Sequence, residues 1–415
     1  MSDEPNPGRP VAPGNCVAPR SLVLNLTLQC PLRCGHCCYR SDMGQHGCLD
    51  LAAACRAIDD AARMDSVQQV SFVGGDPFLV TDLMRQALQH ARGHGLQGTA
   101  TTSAFWARSP ARARAILQPL VQAGLGELVV SYDDAHAEFV PLRNVENAVA
   151  AAREFSLRLY VAVTVDAGAR IDAAHLRRLL HIAENDPRET VYEVLVNATG
   201  RAADNDAADA LDARREDSRV YRGACHSALQ NIQVTHTGQV LPCCGVLPHD
   251  ARMVIGDVSR GDRVDEAVAA AYQDPLWRWI ALEGPVQVLV QATAGSEQAL
   301  AATDFDGICS ACARLFGSPE LLATARAAAQ RKRADLDVHT RVLAALGLWR
   351  PPQPATAVAS TVAANAVRTA TTAAIAAPTA STATIAATGA TATTSATATT
   401  PPSPAAAQAA GTAPA

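Results

Sequence analysis

No excess of positive charge marks this 415-residue chain: 35 Lys and Arg face 40 Asp and Glu, for a formal net charge of −5. That balance leaves no basic face for a nucleic-acid partner. Nor does any run approach the roughly 18–20 bulky apolar residues that a bilayer span requires. The first residues, MSDEPNPGRP, open with acids and prolines instead of the basic-then-apolar order of a secretory signal. These absences predict a cytoplasmic protein with no membrane partner. The last 65 residues, 351–415, contain no acid and no aromatic, and one cation, Arg368, among 26 Ala and 16 Thr. Side chains so small cannot offset ordering entropy, which predicts a disordered tail over 350–415. The folding portion is therefore nearer roughly 350 residues, about two domains by size.

From Leu22 onward, short β-branched runs alternate with longer amphipathic ones, the pattern of a parallel sheet with crossover helices. Strands are expected over 22–28, 67–72, 97–102, 127–132, 157–165 and 190–197, with helices near 50–63, 80–93, 110–123, 144–155 and 172–185. The fold class is α/β, six strands with their crossovers. Periodicity leaves open whether they form a partial barrel or an open wound sheet, but either places chemistry at the carboxyl ends of the strands. After Asn197 the rhythm breaks. An Ala/Asp/Arg-rich stretch reads as a linker, and NIQVTHTGQVLPCC reads as a hairpin turning at His236-Thr237-Gly238. Ser318 and Pro319 then begin an expected long helix to Leu346.

Twelve cysteines in a cytosolic chain point to metal ligation before disulfides. Directly after the first strand, Cys30, Cys34 and Cys37 stand at C-x3-C-x2-C spacing on one tight loop. Three thiolates with no evident fourth leave an iron open to substrate or cofactor, a catalytic arrangement. Cys38 reads as a packed small side chain and His36 as a flat side chain between ligands. Cys16, Cys48 and Cys55 have no partner spacing. A second set, Cys225, Cys243, Cys309 and Cys312, could enclose a metal fully, with Cys244 competing with Cys243. Four thiolates suit zinc as well as an iron–sulfur cluster.

The cysteine triplet and the segments after the later strands resemble the radical SAM superfamily over roughly residues 22–200. Gly74-Gly75-Asp76-Pro77 after the second strand matches the family's GGEP-type segment, with Asp for Glu. Thr101-Thr102-Ser103 stands where the family often has Thr-Asn-Gly, and Ser131-Tyr132-Asp133-Asp134 resembles its S-x-D-G segment. Gly200-Arg201-Ala202 is similar to its GRA. The resemblance implies a partial (β/α)6 barrel in which Cys30, Cys34 and Cys37 hold a [4Fe–4S] cluster. It also implies that Gly74, Gly75, Asp76, Pro77, Thr102, Ser131, Asp133 and Arg201 surround S-adenosylmethionine. Reductive cleavage of that cofactor would give a 5′-deoxyadenosyl radical that takes a hydrogen from substrate. The C-x12-G-x4-C…C-x2-C spacing of the second set resembles the twitch domain, a shortened SPASM domain. This implies one auxiliary [4Fe–4S] cluster on Cys225, Cys243, Cys309 and Cys312. The expected organisation is an extension over 1–20, the core over 21–203, a linker over 204–224, the auxiliary-cluster domain over 225–317, a helix over 318–349 and the tail.

By the same resemblance, the leading substrate is a ribosomally synthesised peptide, modified by crosslinking, epimerisation or oxidation; the alternative is a small molecule, dehydrogenated or epimerised. About twenty residues precede the first strand, too few for a leader-binding winged helix, which a separate leader-peptide-binding protein could replace. An external electron donor of flavodoxin or ferredoxin type is a further expected partner. A non-catalytic iron–sulfur or zinc scaffold is the remaining alternative, and it has no need of the glycine segment. Asp133, Asp134 and His136 are candidate acid–base or hydrogen-donor residues at the end of the fourth strand. Phe105 and Trp106 are candidate pocket walls.

Overall fold

The computed structural model describes residues 16–166, 168–205, 208–245 and 251–352; the first fifteen residues and the tail from 353 on lie outside the described residues. The core runs β1 (Ser21–Thr27), α1 (Leu51–Ala62), β2 (Gln69–Gly74), α2 (Thr81–Gly93), β3 (Gln97–Thr102), α3 (Pro110–Ala123) and β4 (Leu125–Ser131). It continues with a one-turn helix α4 (Asp134–Ala137), α5 (Leu142–Glu154), β5 (Arg158–Val165), α6 (Ala173–Leu180) and β6 (Glu189–Leu195). Local signals set these boundaries. Asp50 caps α1 by accepting from Ala53 N at 3.1 Å; Ser109 caps α3, Pro110 occupies its first turn, and Gly124 ends it at φ +122°.

β1 to β6 are parallel and lie side by side in chain order. An order that never reverses puts right-handed crossovers on one face of the sheet. This is the partial barrel, and it decides against a doubly wound sheet. Along β5, Leu159, Val161, Val163 and Val165 are buried, while the alternate Tyr160, Ala162 and Thr164 are only half-buried. The core lies between strands and helices, where Leu22, Leu24, Phe72 and Leu128 meet Ile58, Met84, Leu88 and Leu117. Each such side chain contributes about 1.5–3 kcal/mol on burial.

The stretch read as a linker carries α7 (Arg201–Asn205) and α8 (Ala208–Glu216). The expected hairpin is β7 (Asn231–Val234) and β8 (Gln239–Leu241), followed by β9 (Gly256–Asp257). β7 pairs parallel to β1, so one nine-stranded sheet runs β6-β5-β4-β3-β2-β1-β7-β8-β9. Among the described residues six further helices follow: α9 (Val264–Gln273), α10 (Pro275–Glu283), α11 (Pro285–Thr293), α12 (Ile308–Gly317), α13 (Pro319–Arg331) and α14 (Arg333–Ala345). The single long helix expected from Ser318 is therefore two. Ser318 caps the first as expected, and the break falls at Lys332, whose ammonium is held by Glu283 and lies over the Trp279 ring. Among the described residues, no helix is long and apolar enough to cross a membrane.

Candidate active site

The loop after β1 is held in place by contacts from the end of β2 and from the turn beyond β6. At the end of β2, Gly75 N donates to Thr27 O at 2.7 Å and Asp76 N to Gln29 O at 2.9 Å. A Cβ on Gly75 would lie 1.8 Å from Gln29 O, and one on Gly74 2.2 Å from Thr27 O. Only glycines permit this approach. Beyond β6, Gly200 (φ +56°) packs so closely that a Cβ would fall 2.3 Å from Cys38 O. The next residue, Arg201, donates from N to Cys37 O (2.9 Å), from Nη1 to Cys34 O (2.6 Å) and from Nη2 to Ser41 O (2.9 Å). Asp42 lies 3.6 Å from the same guanidinium.

Cys30, Cys34 and Cys37 thereby line one cavity of about 330 Å³, together with Gly74, Gly75, Thr102, Ser131 and His136. Burial, the largest cause, pushes the Cys30 thiol up to about 12, with smaller increases from Asp76 and Cys37. Cys34 is raised by burial, then by the Asp133 charge and the neighbouring thiols. Thiols so placed resist ionisation unless a positive centre sits among them. Three soft donors on one loop fit an iron–sulfur cluster.

Asp76, Pro77 and Arg201 are not among the residues lining that cavity. Asp76 is wholly buried and accepts from Thr102 Oγ1 (2.9 Å), Ser103 N (2.9 Å), Ser103 Oγ (2.8 Å) and Phe78 N (3.1 Å). It ties the end of β2 to the end of β3. Arg201 acts on the cysteine loop. Trp106 is buried, stacked on Phe78 with its Nε1 donating to Thr102 Oγ1, and Phe105 packs beneath the loop against the Leu32, Cys34 and Val140 cluster.

Asp133, at the start of α4, is a hydrogen-bond hub. Its Oδ1 accepts from His36 Nε2 (3.1 Å), His136 Nδ1 (2.8 Å), and the amides of Ala135 (3.0 Å) and His136 (3.1 Å). Its Oδ2 accepts from Thr164 N at 3.3 Å. Burial alone would raise its carboxyl, but hydrogen bonds from His136 and His36 outweigh that and hold it far below the usual carboxylate range. A histidine donating from Nδ1 keeps its Nε2 as a proton acceptor. Asp134 turns away to Arg170 and lines an adjoining cavity, which shares His36, Thr164 and Val196 with the first. The His36–Asp133 link joins residues 97 positions apart, and no local sequence signal announces it.

The second cysteine set gathers around the β7–β8 hairpin and the first turn of α12. Cys225 precedes β7, Cys243 follows β8, and Cys309 and Cys312 sit one turn apart on α12. A hydrogen bond from the Cys243 thiol lowers the Cys225 thiol, against burial. A Cβ on Gly245 would lie 3.3 Å from Cys309 Sγ and 3.5 Å from Cys243 Sγ, so these two sulfurs flank a glycine. The Cys244 thiol, raised by burial, is held by the side chains of Ser227 and Asn231. The two sets share a wall: Cys38, Gly245 and Cys309 line the cavity of Cys30, Cys34 and Cys37.

No family model matches the chain. It is similar to YydG of Bacillus subtilis (strain 168), a protein named for peptide biosynthesis, at 21% identity over 313 residues, 72% of this chain and 93% of YydG. The Gly-backed cysteine triplet at the end of β1 lies within a partial barrel. These features are the ones through which the chain resembles the radical SAM superfamily. The chain also matches the PqqA peptide cyclase of Xanthomonas euvesicatoria pv. vesicatoria (strain 85-10) at 32% identity over 146 residues, 33% of the chain and about a third of the cyclase (36%). BtrN, solved in complex with AdoMet and 2-DOIA, overlays at a TM-score of 0.38 and 15% identity, over 60% of this chain and 82% of BtrN.

Proposed function

We propose that the enzyme modifies a ribosomally synthesised peptide by hydrogen abstraction, with Cys30, Cys34 and Cys37 holding the catalytic cluster and Cys225, Cys243, Cys309 and Cys312 the auxiliary one. The observation that carries this reading is the shared cavity, lined by the open three-thiol set and by Cys309 of the second set. The names of YydG and the PqqA cyclase support a peptide as substrate. When bound, the cluster and S-adenosylmethionine supply the one-electron cleavage that removes a hydrogen atom from substrate.

The chain's own residues position and deprotonate. Arg201 and the Gly74-Gly75 backbone keep the cysteine loop at the strand ends, and Gly74, Thr102 and Ser131 face the space beside it. His136, oriented by Asp133 and presenting Nε2 as acceptor, takes the proton that a substrate loses in oxidation or crosslinking. Asp133 stays ionised and acts through the two imidazoles.

The test is 5′-deoxyadenosine formation by anaerobically reconstituted protein with S-adenosylmethionine and a strong reductant, beside Cys34→Ala. Cleavage that disappears in the variant supports the ligand assignment. A short peptide encoded beside this gene is then added; a mass change in it supports the substrate class. Turnover of a small amine or polyol with none of the peptide would overturn that class while leaving the cluster assignment standing.

A further inference from the structure

A second group of metal-binding side chains lies outside the cavity, on the helices that cover the sheet. α1 and α2 pack through small and apolar residues: Ala54, Ala57, Ile58 and Ala61 on the first, Met84, Ala87, Leu88 and Ala91 on the second, all buried. Beside this rigid contact, Asp59 of α1 faces His90 and His94 of α2. His90 Nε2 and His94 Nε2 each lie 2.7 Å from the same oxygen, Asp59 Oδ1. The two histidines are one helical turn apart, on one face, with ring centroids 5.2 Å apart in an edge-on arrangement. All three side chains are 35–39% exposed, so an ion can reach them from solvent.

We infer that Asp59, His90 and His94 form a surface site for a divalent transition metal of the zinc class, clipping α1 to α2. Two features carry the inference. Two imidazole nitrogens and a carboxylate oxygen lie within 4.8 Å of one another, the donor set of the borderline metals zinc, nickel and copper. The site also lies where two helices end: Asp59 is in the last turn of α1, His90 in the last turn of α2, and His94 is its C-cap. Both helix termini present their negative dipole ends, which favour a cation and would repel an anion. Water would complete the coordination.

In a barrel of this kind the helices run back from the carboxyl ends of the strands, so their C-termini lie at the opposite end from the cysteine cavity. The metal is therefore a structural clip and takes no part in the radical chemistry.

The test uses protein reconstituted with both clusters, dialysed against a small excess of zinc and then buffer, with iron and zinc counted per chain. Wild type should retain one zinc beyond the clusters and melt several degrees higher with zinc than without. His90→Gln/His94→Gln should retain none and show no shift, with its iron content and S-adenosylmethionine cleavage unchanged. Equal zinc in wild type and the double variant, or none in wild type, overturns the inference.

Discussion

Replacing Gly75 by alanine should disable cofactor cleavage while leaving the fold in place. Gly75 has no positive φ, so alanine meets no intrinsic backbone penalty there. The cost comes entirely from contact, because the added Cβ would lie 1.8 Å from Gln29 O, 2.3 Å from Gln29 C and 2.7 Å from Leu28 O. All three are backbone atoms and cannot swing aside. Reaching even 3.0 Å from the carbonyl oxygen would require the two segments to part by about 1.2 Å, well over the roughly 0.5 Å within which a catalytic constellation must be held. Gln29 is the residue before Cys30, so this displacement falls on the cysteine loop. Overpacking of this kind costs about 1–3 kcal/mol, which a domain can absorb, whereas a misplacement of about 1 Å at reacting groups costs about 100-fold in rate. The assay is 5′-deoxyadenosine formation per reconstituted chain, with circular dichroism as the check on fold. Gly93→Ala is the control, since a Cβ there meets nothing within 4 Å. If Gly75→Ala cleaves S-adenosylmethionine as fast as Gly93→Ala, the claim that this backbone approach places the loop is wrong.

Arg201→Ala should lower reconstituted iron at the first site severalfold, because two buried carbonyls lose charged donors worth about 1.5–3 kcal/mol each. Arg201→Lys should not restore it, since an ammonium cannot reproduce the fork; full iron in either variant refutes the anchoring role. His136→Gln should keep 5′-deoxyadenosine formation and slow modified product by about 100-fold or more, the usual worth of a positioned base; product at the wild-type rate would remove His136 from the reaction. Glu283→Gln should destabilise the helical region by about 1–3 kcal/mol, since Glu283 accepts from Trp279 Nε1 (2.9 Å), Gln291 Nε2 (2.9 Å) and Lys332 Nζ (2.7 Å). Burial would raise the Glu283 carboxyl, but the bonds from Lys332, Trp279 and Gln291 lower it overall. Its stabilisation is then complete above the unfolded value of about 4.3 and is lost as pH falls through the lower folded value. Denaturant melts of the two proteins should accordingly differ at pH 7 and converge in acid; a gap that widened in acid would contradict this.

The core strands and helices were legible because their signals are local. A period-two run marks β5, and Asp50, Ser109 and Asp172 cap the helices they precede. The cysteine triplet is equally local, lying within eight residues of one loop. Residues that act through distant partners were not legible in their roles. Asp76 sits in a glycine motif that points to a cofactor, yet its acceptors are committed to Thr102 and Ser103, 26 and 27 positions on. Arg201 likewise spends its guanidinium on loop carbonyls about 160 residues upstream. The break at Lys332 has no proline or glycine to mark it and comes from tertiary contacts with Glu283 and Trp279. Pairing between β7 and β1 is a property of the sheet, and periodicity within either strand is silent about it.

That pairing also sets a timetable for synthesis. β1 is fully buried, with β2 on one side and β7 on the other, and its partner across Ser21 is Asn231, 210 residues later. At about 5–20 residues per second on the ribosome, the β1 edge waits about 10–40 s for its second neighbour. During that interval an apolar strand with unpaired amides is open to other chains. Shortening the message after residue 203 would make the wait permanent, so the six-stranded half should aggregate on its own instead of surviving as a smaller enzyme.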